Sequence, residues 1–189
     1  VYQHPAGDYR ISEYIEGQTL NELAAVTEEQ VSLLCNTLKK FHTIKLDIPN
    51  FSYSDCITQY WQAINDKVLI TNSNVISEYE DMLALCHSYQ HCYGQERVLC
   101  HNDLNASNIL LTKASEGKEA RFIMLDWEFS GGGIASMDFA DLATEINFDI
   151  HHMAALSGIE TEELIIAQKI YRYTCKLYNH ASELNNLTM

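Results

Sequence analysis

The sequence predicts an α+β fold that is mostly α-helical, with a small β portion that carries two polar loops. Apolar residues recur at helical spacing through much of the N-terminal half and again near the C-terminus. Short apolar runs typical of strands occur mainly between Val98 and Leu125, where polar residues interrupt them. With 189 residues, of which 47% are hydrophobic, the chain is long enough to bury the core of one domain.

The N-terminal residues combine one strand candidate with two helix starts. Residues 9–15, YRISEYI, are rich in Tyr and Ile and end at a Glu-Gly pair, which predicts a strand that leads into a turn. The segments 19–22 (TLNE) and 27–30 (TEEQ) both match the capping box that opens helices. Apolar residues at helical spacing follow the second box, so we expect an amphipathic helix to about Thr43.

The remaining elements follow from the same two periodicities, after a loop at Pro49. The predicted helices contain residues 57–68, 76–89, 138–147 and 164–178, and the predicted strands are 98–100, 109–111 and 121–125.

The composition excludes some classes of partner. The chain has 12 Lys and Arg against 26 Asp and Glu, a net charge of −14, and its longest basic cluster is Lys39-Lys40. Nucleic-acid binding depends on basic patches, so we expect no nucleic-acid partner. No apolar run approaches the roughly 18 residues that span a bilayer, so we expect no membrane segment. The six cysteines form no CxxC pair, which favours free thiols and a cytoplasmic location.

The most informative segment is VLCHNDLNASNILL, residues 98–111, in which a polar stretch separates two apolar runs. His101, Asp103 and Asn108 have the spacing H-x-D-x-x-x-x-N within it. Phosphoryl transfer needs a carboxylate that accepts the proton of the attacking hydroxyl, and an oxygen ligand for Mg²⁺. Asp103 and Asn108 would supply both groups from one short segment.

A second metal ligand is expected at Asp126, because Mg²⁺ prefers oxygen ligands and this carboxylate directly follows the apolar run RFIML. The residues that follow it make the sequence Asp-Trp-Glu, where protein kinases have Asp-Phe-Gly. Asp-Trp-Glu together with His-Asn-Asp is typical of small-molecule kinases.

On these residues the chain resembles the aminoglycoside phosphotransferase and choline/ethanolamine kinase superfamily, which shares the protein-kinase-like fold. The resemblance runs from CHNDLNASNILL through MLDWEFSGGGIASMDFADLATE, and YRISEYIEGQTL is similar to the hinge segment of that family. Asp138, Asp141 and Glu145 fit the choline kinase pattern D-x-x-[ND]-x-x-x-E, whose Glu approaches the quaternary ammonium. The resemblance implies Asp103 as catalytic base, Asn108 and Asp126 as magnesium ligands, Glu13, Tyr14 and Ile15 near the adenine, and Glu128, Asp141 and Glu145 at the substrate.

The resemblance also implies an architecture and an activity. The chain would be the C-terminal lobe of a protein-kinase-like fold, with a small β-hairpin insertion that carries the catalytic loop. Residues 1–17 would be a hinge strand from an N-terminal lobe before Val1, and residues 18–189 the helical catalytic and substrate-binding lobe. The implied activity uses ATP and Mg²⁺ to phosphorylate the hydroxyl of a small cationic alcohol, and choline or ethanolamine is the leading candidate for this substrate. Thiamine or an aminoglycoside is an alternative substrate, and a catalytically silent module that binds a cationic ligand is an alternative function.

Several of these residues also have purely structural interpretations, and the oligomeric state stays open. The alternatives are a turn role for Asp103, an N-cap role for Asp138, a loop anchor for Asp141 and a solvated position for Glu145. We expect hydrogen bonds within the loop from His101, Asn102, Asn105 and Ser107, a flexible loop at Gly131–Gly133, and core positions for Trp61 and the tyrosines of the last helix.

Overall fold

The computed structural model describes the backbone of residues 2–3, 10–11, 13–113 and 120–186, and the side chains of residues 13–113 and 120–184. The strand predicted at residues 9–15 therefore lies partly outside the described residues. Within them, Arg10–Ile11 (β2) pairs antiparallel with Tyr2–Gln3 (β1).

The helices dominate the described part of the chain, as predicted. They are α1 Glu28–His42, α2 Tyr53–Asn65, α3 Ser73–Tyr93, α4 Ala135–Glu145, α5 Ile150–Ser157 and α6 Thr161–Asn186. The sequence pattern does not predict α5, because its eight residues are too few to establish a helical periodicity.

The two capping boxes have different outcomes. At α1 the Thr27 N–H donates to Gln30 Oε1 at 2.9 Å, and the Gln30 N–H donates to Thr27 Oγ1 at 3.3 Å. These bonds satisfy donors that the first turn of a helix leaves unpaired, so the helix begins where the sequence indicates. The box at Thr19 opens only a short 3₁₀ turn, Leu20–Glu22.

The other strands are also short and form two further small antiparallel sheets beside the helices. They are β3 Gly17–Thr19, β4 Val98–Cys100, β5 Ile109–Thr112, β6 Phe122–Met124 and β7 Gly131–Gly133. One sheet has the order β3-β5-β6, and β4 pairs with β7 in the other. The prediction of a hairpin that carries the catalytic loop is not confirmed, because the loop joins β4 to β5, which lie in different sheets.

The predicted flexible loop at Gly131–Gly133 is also wrong, because these residues are the buried strand β7. Glycine is required there by close packing against the neighbouring strand. A Cβ atom on Gly133 would lie 2.9 Å from both Cβ and Sγ of Cys100. Three glycines in sequence indicate flexibility, but the paired strand at Gly133 and residues 49–51 at the other two glycines leave no room for side chains.

The core lies where α6 packs against α2 and α4. Phe139 and Leu142 of α4 and Leu164 of α6 are fully buried in it, and Leu104 reaches the same core from the loop between β4 and β5. This loop is consequently fixed to the helices at its centre. No helix among the described residues has the length and apolar character to cross a bilayer.

Candidate active site

Residues 101–108, which we call the motif loop, lie over one face of α4. Asp138, Asp141 and Glu145 are spaced i, i+3 and i+7 on that helix, and this spacing places them on a single face. All three carboxylates accept hydrogen bonds from backbone N–H groups of the motif loop. The acidic face of α4, defined by these three residues, is therefore the support on which the loop rests.

Asp138 holds the beginning of the motif loop. Its Oδ2 accepts from the His101 N–H and its Oδ1 from the Asn102 N–H, both at 3.0 Å. His42 Nε2 lies 3.0 Å from the same Oδ2, and the Asp138 side chain is 1% exposed. The alternative that Asp138 is the N-cap of its helix is wrong, because α4 begins three residues earlier, after Ile134.

Asp141 and Glu145 hold the middle of the motif loop. Asp141 Oδ2 accepts from the Leu104 N–H at 2.7 Å, and Glu145 Oε2 accepts from the Ala106 N–H at 3.4 Å. Glu145 Oε1 accepts from the Tyr171 hydroxyl at 2.9 Å. Burial raises the pKa of Asp141 well above its ordinary value, against the lowering effect of the Tyr171 hydroxyl and the Leu104 N–H. This placement behind the loop favours the interpretation of Asp141 as an anchor.

Asp103 and Asn108 are in direct contact at the front of the loop. Asn108 Nδ2 donates to Asp103 Oδ2 at 2.9 Å and to the Asp103 carbonyl at 3.1 Å. Burial raises the pKa of Asp103, and the negative charges of Asp126 and Glu145 add to this effect, while His101 and Asn108 oppose it. Asp103 is a better proton acceptor than an ordinary aspartate as a result.

Asp126 is brought to the motif loop by the backbone beside it. The Leu125 N–H donates to the Asn108 carbonyl at 2.7 Å, and His101 Nε2 lies 2.8 Å from the Leu125 carbonyl. Because a carbonyl only accepts, the His101 ring donates there and serves as a support. Asp126 itself has a left-handed backbone with φ 57°, and its side chain is exposed.

The other polar residues of the loop satisfy groups close to them, as predicted. Asn102 Nδ2 donates to the carbonyls of Phe129 at 3.0 Å and Cys100 at 3.4 Å. Asn105 Oδ1 accepts from both the backbone N–H and the hydroxyl of Ser107 at 3.0 Å. These bonds fix a loop of irregular shape.

The loop borders a cleft of about 330 Å³ between α2 and α6. Of the residues predicted from sequence, Asp103, Asn108, Asp126 and Glu128 line it together. Asp141 and Glu145 do not line it, and neither do the predicted adenine contacts. Those contacts, Glu13, Tyr14 and Ile15, directly precede β3, and Tyr14 is 87% exposed.

Six aromatic residues also line the cleft, and together we call them the aromatic wall: Phe51, Tyr53, Tyr60, Phe129, Tyr171 and Tyr178. The prediction of core positions for the tyrosines of the last helix holds for Tyr173, which is 6% exposed, and is wrong for Tyr178, which is 53% exposed. A sequence signal for the wall does exist. Tyr53 and Tyr60 on α2, and Tyr171 and Tyr178 on α6, are each seven residues apart and so share a helix face.

Comparison with known proteins gives one family and one fold. A family model described as choline/ethanolamine kinase matches residues 6–186. No curated protein sequence matches the chain.

Among solved structures, the choline kinase LicA from Streptococcus pneumoniae has a TM-score of 0.71 and 21% identity over 90% of this chain and 61% of its own. A choline/ethanolamine kinase family protein from Mesorhizobium loti has a TM-score of 0.72 and 19% identity over 98% of this chain and 65% of its own. Aminoglycoside 2'-phosphotransferase-IIIa, solved with GDP, has a TM-score of 0.62 and 14% identity over 99% of this chain and 74% of its own. At such identities the likeness shows a shared kinase-like fold. The chain spans about three fifths of the length of the first two proteins.

Proposed function

The chain belongs to the choline/ethanolamine kinase family, and from this premise we propose that it transfers phosphate from ATP to the hydroxyl of a small cationic alcohol, choline before ethanolamine. The observation that carries the proposal is a single cleft, which Asp103, Asn108 and Asp126 line together with the aromatic wall.

Asp103 is proposed to receive the proton of the substrate hydroxyl. Its bond from Asn108 holds one carboxylate oxygen, and the bonds of the motif loop to α4 fix its backbone. A carboxylate held in this way orients the hydroxyl oxygen toward the phosphorus and accepts its proton as the new bond forms. The raised pKa of Asp103 suits this role, because the proton is accepted more readily.

The residues present fit a magnesium ion. Asn108 lines the cleft, and because its amide nitrogen donates to Asp103, its amide oxygen would be the atom that binds the ion. Asp126 adds an exposed carboxylate to the same cleft, and Mg²⁺ is bound by hard oxygen donors of this kind. Asn108 and Asp126 would hold the ion, whose charge when bound offsets that of the transferred phosphate.

The aromatic wall supports choline over ethanolamine. A quaternary ammonium has no N–H to donate and is bound well by the faces of aromatic rings. A primary ammonium needs hydrogen-bond acceptors, and the carboxylates that line the cleft are Asp103 of the motif loop, Asp126 and Glu128. The residues that α2 and α6 contribute to the cleft are mainly Tyr and Cys, which carry no carboxylate.

The nucleotide is proposed to enter on the side of β3. This strand pairs antiparallel with β5, which begins directly after Asn108. Residues 13–16 lead into β3, and the pairing of Gly17 with Thr112 places them past the end of β5 that is remote from Asn108, where the adenine rather than the phosphates would lie. We retain residues 1–17 as the hinge, with Glu13, Tyr14 and Ile15 near the adenine, and residues 18–189 as the catalytic and substrate-binding lobe.

The test is ATP consumption by the full-length protein with choline, ethanolamine, thiamine and an aminoglycoside. We expect the highest kcat/KM with choline. Asp103→Ala should lower kcat by about 10²–10⁴-fold, the usual effect of a positioned base, without changing nucleotide affinity. Glu29→Ala, which removes an exposed carboxylate on α1, is the matched control and should keep its activity. Near-normal kcat in Asp103→Ala would contradict the role of the base, and choline binding without turnover would indicate the silent module.

A further inference from the structure

Tyr171 connects the aromatic wall to the acidic face of α4. Its ring lines the cleft, and its hydroxyl donates to Glu145 Oε1 at 2.9 Å. The other oxygen of Glu145 accepts from the Ala106 N–H at 3.4 Å. The connection runs from α6 through α4 to the motif loop, where it ends three residues after Asp103.

Glu145 does not line the cleft. Its carboxylate therefore acts on a bound substrate through the two groups that it binds, the Tyr171 hydroxyl and the Ala106 N–H. Tyr171 is 5% exposed, and a hydroxyl that is buried this deeply is costly to leave unpaired. The ring is consequently held in one orientation by Glu145 on its far side. Asp141 lies beside the same hydroxyl and binds the loop at Leu104, which strengthens the attachment.

We propose that Glu145 is a positioning residue that joins the aromatic wall to the motif loop and so sets the distance between the bound cation and Asp103. The inference rests on the proposed function, because it assigns the wall to the cation and Asp103 to the hydroxyl. It replaces direct contact between Glu145 and the cation with action through Tyr171.

A fixed distance has a consequence for specificity. The cation and the hydroxyl of choline are separated by two carbons, and a rigid connection rejects an analogue with one more methylene between them. A methylene in a fitted site is typically worth about 10–200-fold in kcat/KM. When the connection is broken, the wall and the loop move independently, and this discrimination should fall several-fold.

The variants Tyr171→Phe and Glu145→Ala break the connection from opposite sides. Tyr171→Phe keeps the ring and removes only the hydroxyl. We expect each variant to lower kcat for choline by about ten-fold, and the double variant to be no worse than either one, because both remove the same contact. Glu145→Gln should restore most of the activity, since its amide accepts from Ala106 and donates to the Tyr171 oxygen.

Tyr178→Phe is the matched control, because it removes a hydroxyl from the same wall without touching Glu145. Its effect should add to that of Glu145→Ala. Additive effects of Tyr171→Phe and Glu145→Ala, or unchanged discrimination between choline and the longer analogue, would overturn the proposal.

Hydrogen exchange at Ala106 separates this inference from the proposed function. Tyr171→Phe should speed exchange of the Ala106 N–H, although the substituted atom lies on another helix, and Tyr178→Phe should not. If the wild-type protein phosphorylates no amino alcohol, the proposed function fails. The exchange result then tests by itself whether Tyr171 is connected to the motif loop through Glu145. Unchanged exchange in Tyr171→Phe would overturn the connection itself.

Discussion

Replacing Asp138 by Leu removes the support at the start of the motif loop while filling the space of the carboxylate with an apolar side chain. The Asp138 carboxylate accepts from the backbone N–H groups of His101 and Asn102, and His42 Nε2 lies 3.0 Å away. Leucine accepts none of these bonds. Two backbone N–H groups next to Asp103 are then buried without a partner.

The expected loss of stability follows from these two groups. A buried N–H without an acceptor costs about 1–3 kcal/mol, so two cost about 2–6 kcal/mol in free energy of unfolding. The total stability of a domain is only about 5–15 kcal/mol, so the variant should lose a large part of it. The lost partner of His42 adds to this cost.

Asp149 provides a matched control. Its carboxylate also accepts from two backbone N–H groups, those of His151 and His152, at 3.0 and 2.9 Å, but it caps α5 at an exposed position. Water can replace it there, so Asp149→Leu should cost much less than Asp138→Leu. Urea denaturation followed by circular dichroism measures both variants. Equal losses would refute the reasoning that burial of the N–H groups, rather than their number, sets the cost.

Two further predictions concern the metal ligands and the buried carboxylate. Asp126→Ala should weaken the magnesium dependence of nucleotide binding, and an unchanged magnesium titration would argue against Asp126 as a ligand. Burial raises the folded-state pKa of Asp141 above its ordinary value of 3.8, so the unfolded chain releases its proton first as pH rises. Wild-type stability should therefore fall above about pH 4, by at most about 1.4 kcal/mol per pH unit, until the folded-state pKa is passed. Asp141→Asn should lose this part of the slope and be more stable than wild type at pH 7 in urea titrations, whereas parallel pH profiles would contradict the assignment.

The helices could be predicted because their signals are local. Thr27 and Gln30 cap α1 through bonds between residues three apart, and the apolar period of the next residues is a property of the same segment. The positions of β4, β5 and β6 were also predictable, since their apolar runs are continuous, whereas β7 was not, because it consists of three glycines. The partners of the strands were not predictable, because pairing joins residues that are distant in the chain, as Val98 and Gly133 are.

In the acidic face of α4, the sequence predicts one property and only the tertiary structure shows another. The spacing of Asp138, Asp141 and Glu145 predicts three carboxylates on one side of a helix. It does not tell whether that side faces a substrate or the protein. In the structure it faces the motif loop, and all three residues accept from its backbone.

The sequence by itself predicted the chemistry that we propose for the site. Asp103, Asn108 and Asp126 follow from a short motif and a strand end, since the groups that phosphoryl transfer needs are supplied by neighbours in the chain. The tertiary structure alone decided what surrounds them. Most of the aromatic wall comes from α2 and α6, and only packing of these helices brings Tyr60 and Tyr178, which are distant in the chain, to a ring separation of 5.5 Å. Residue type and spacing specify a reactive group, whereas the cavity that selects a substrate is formed by contacts between distant segments.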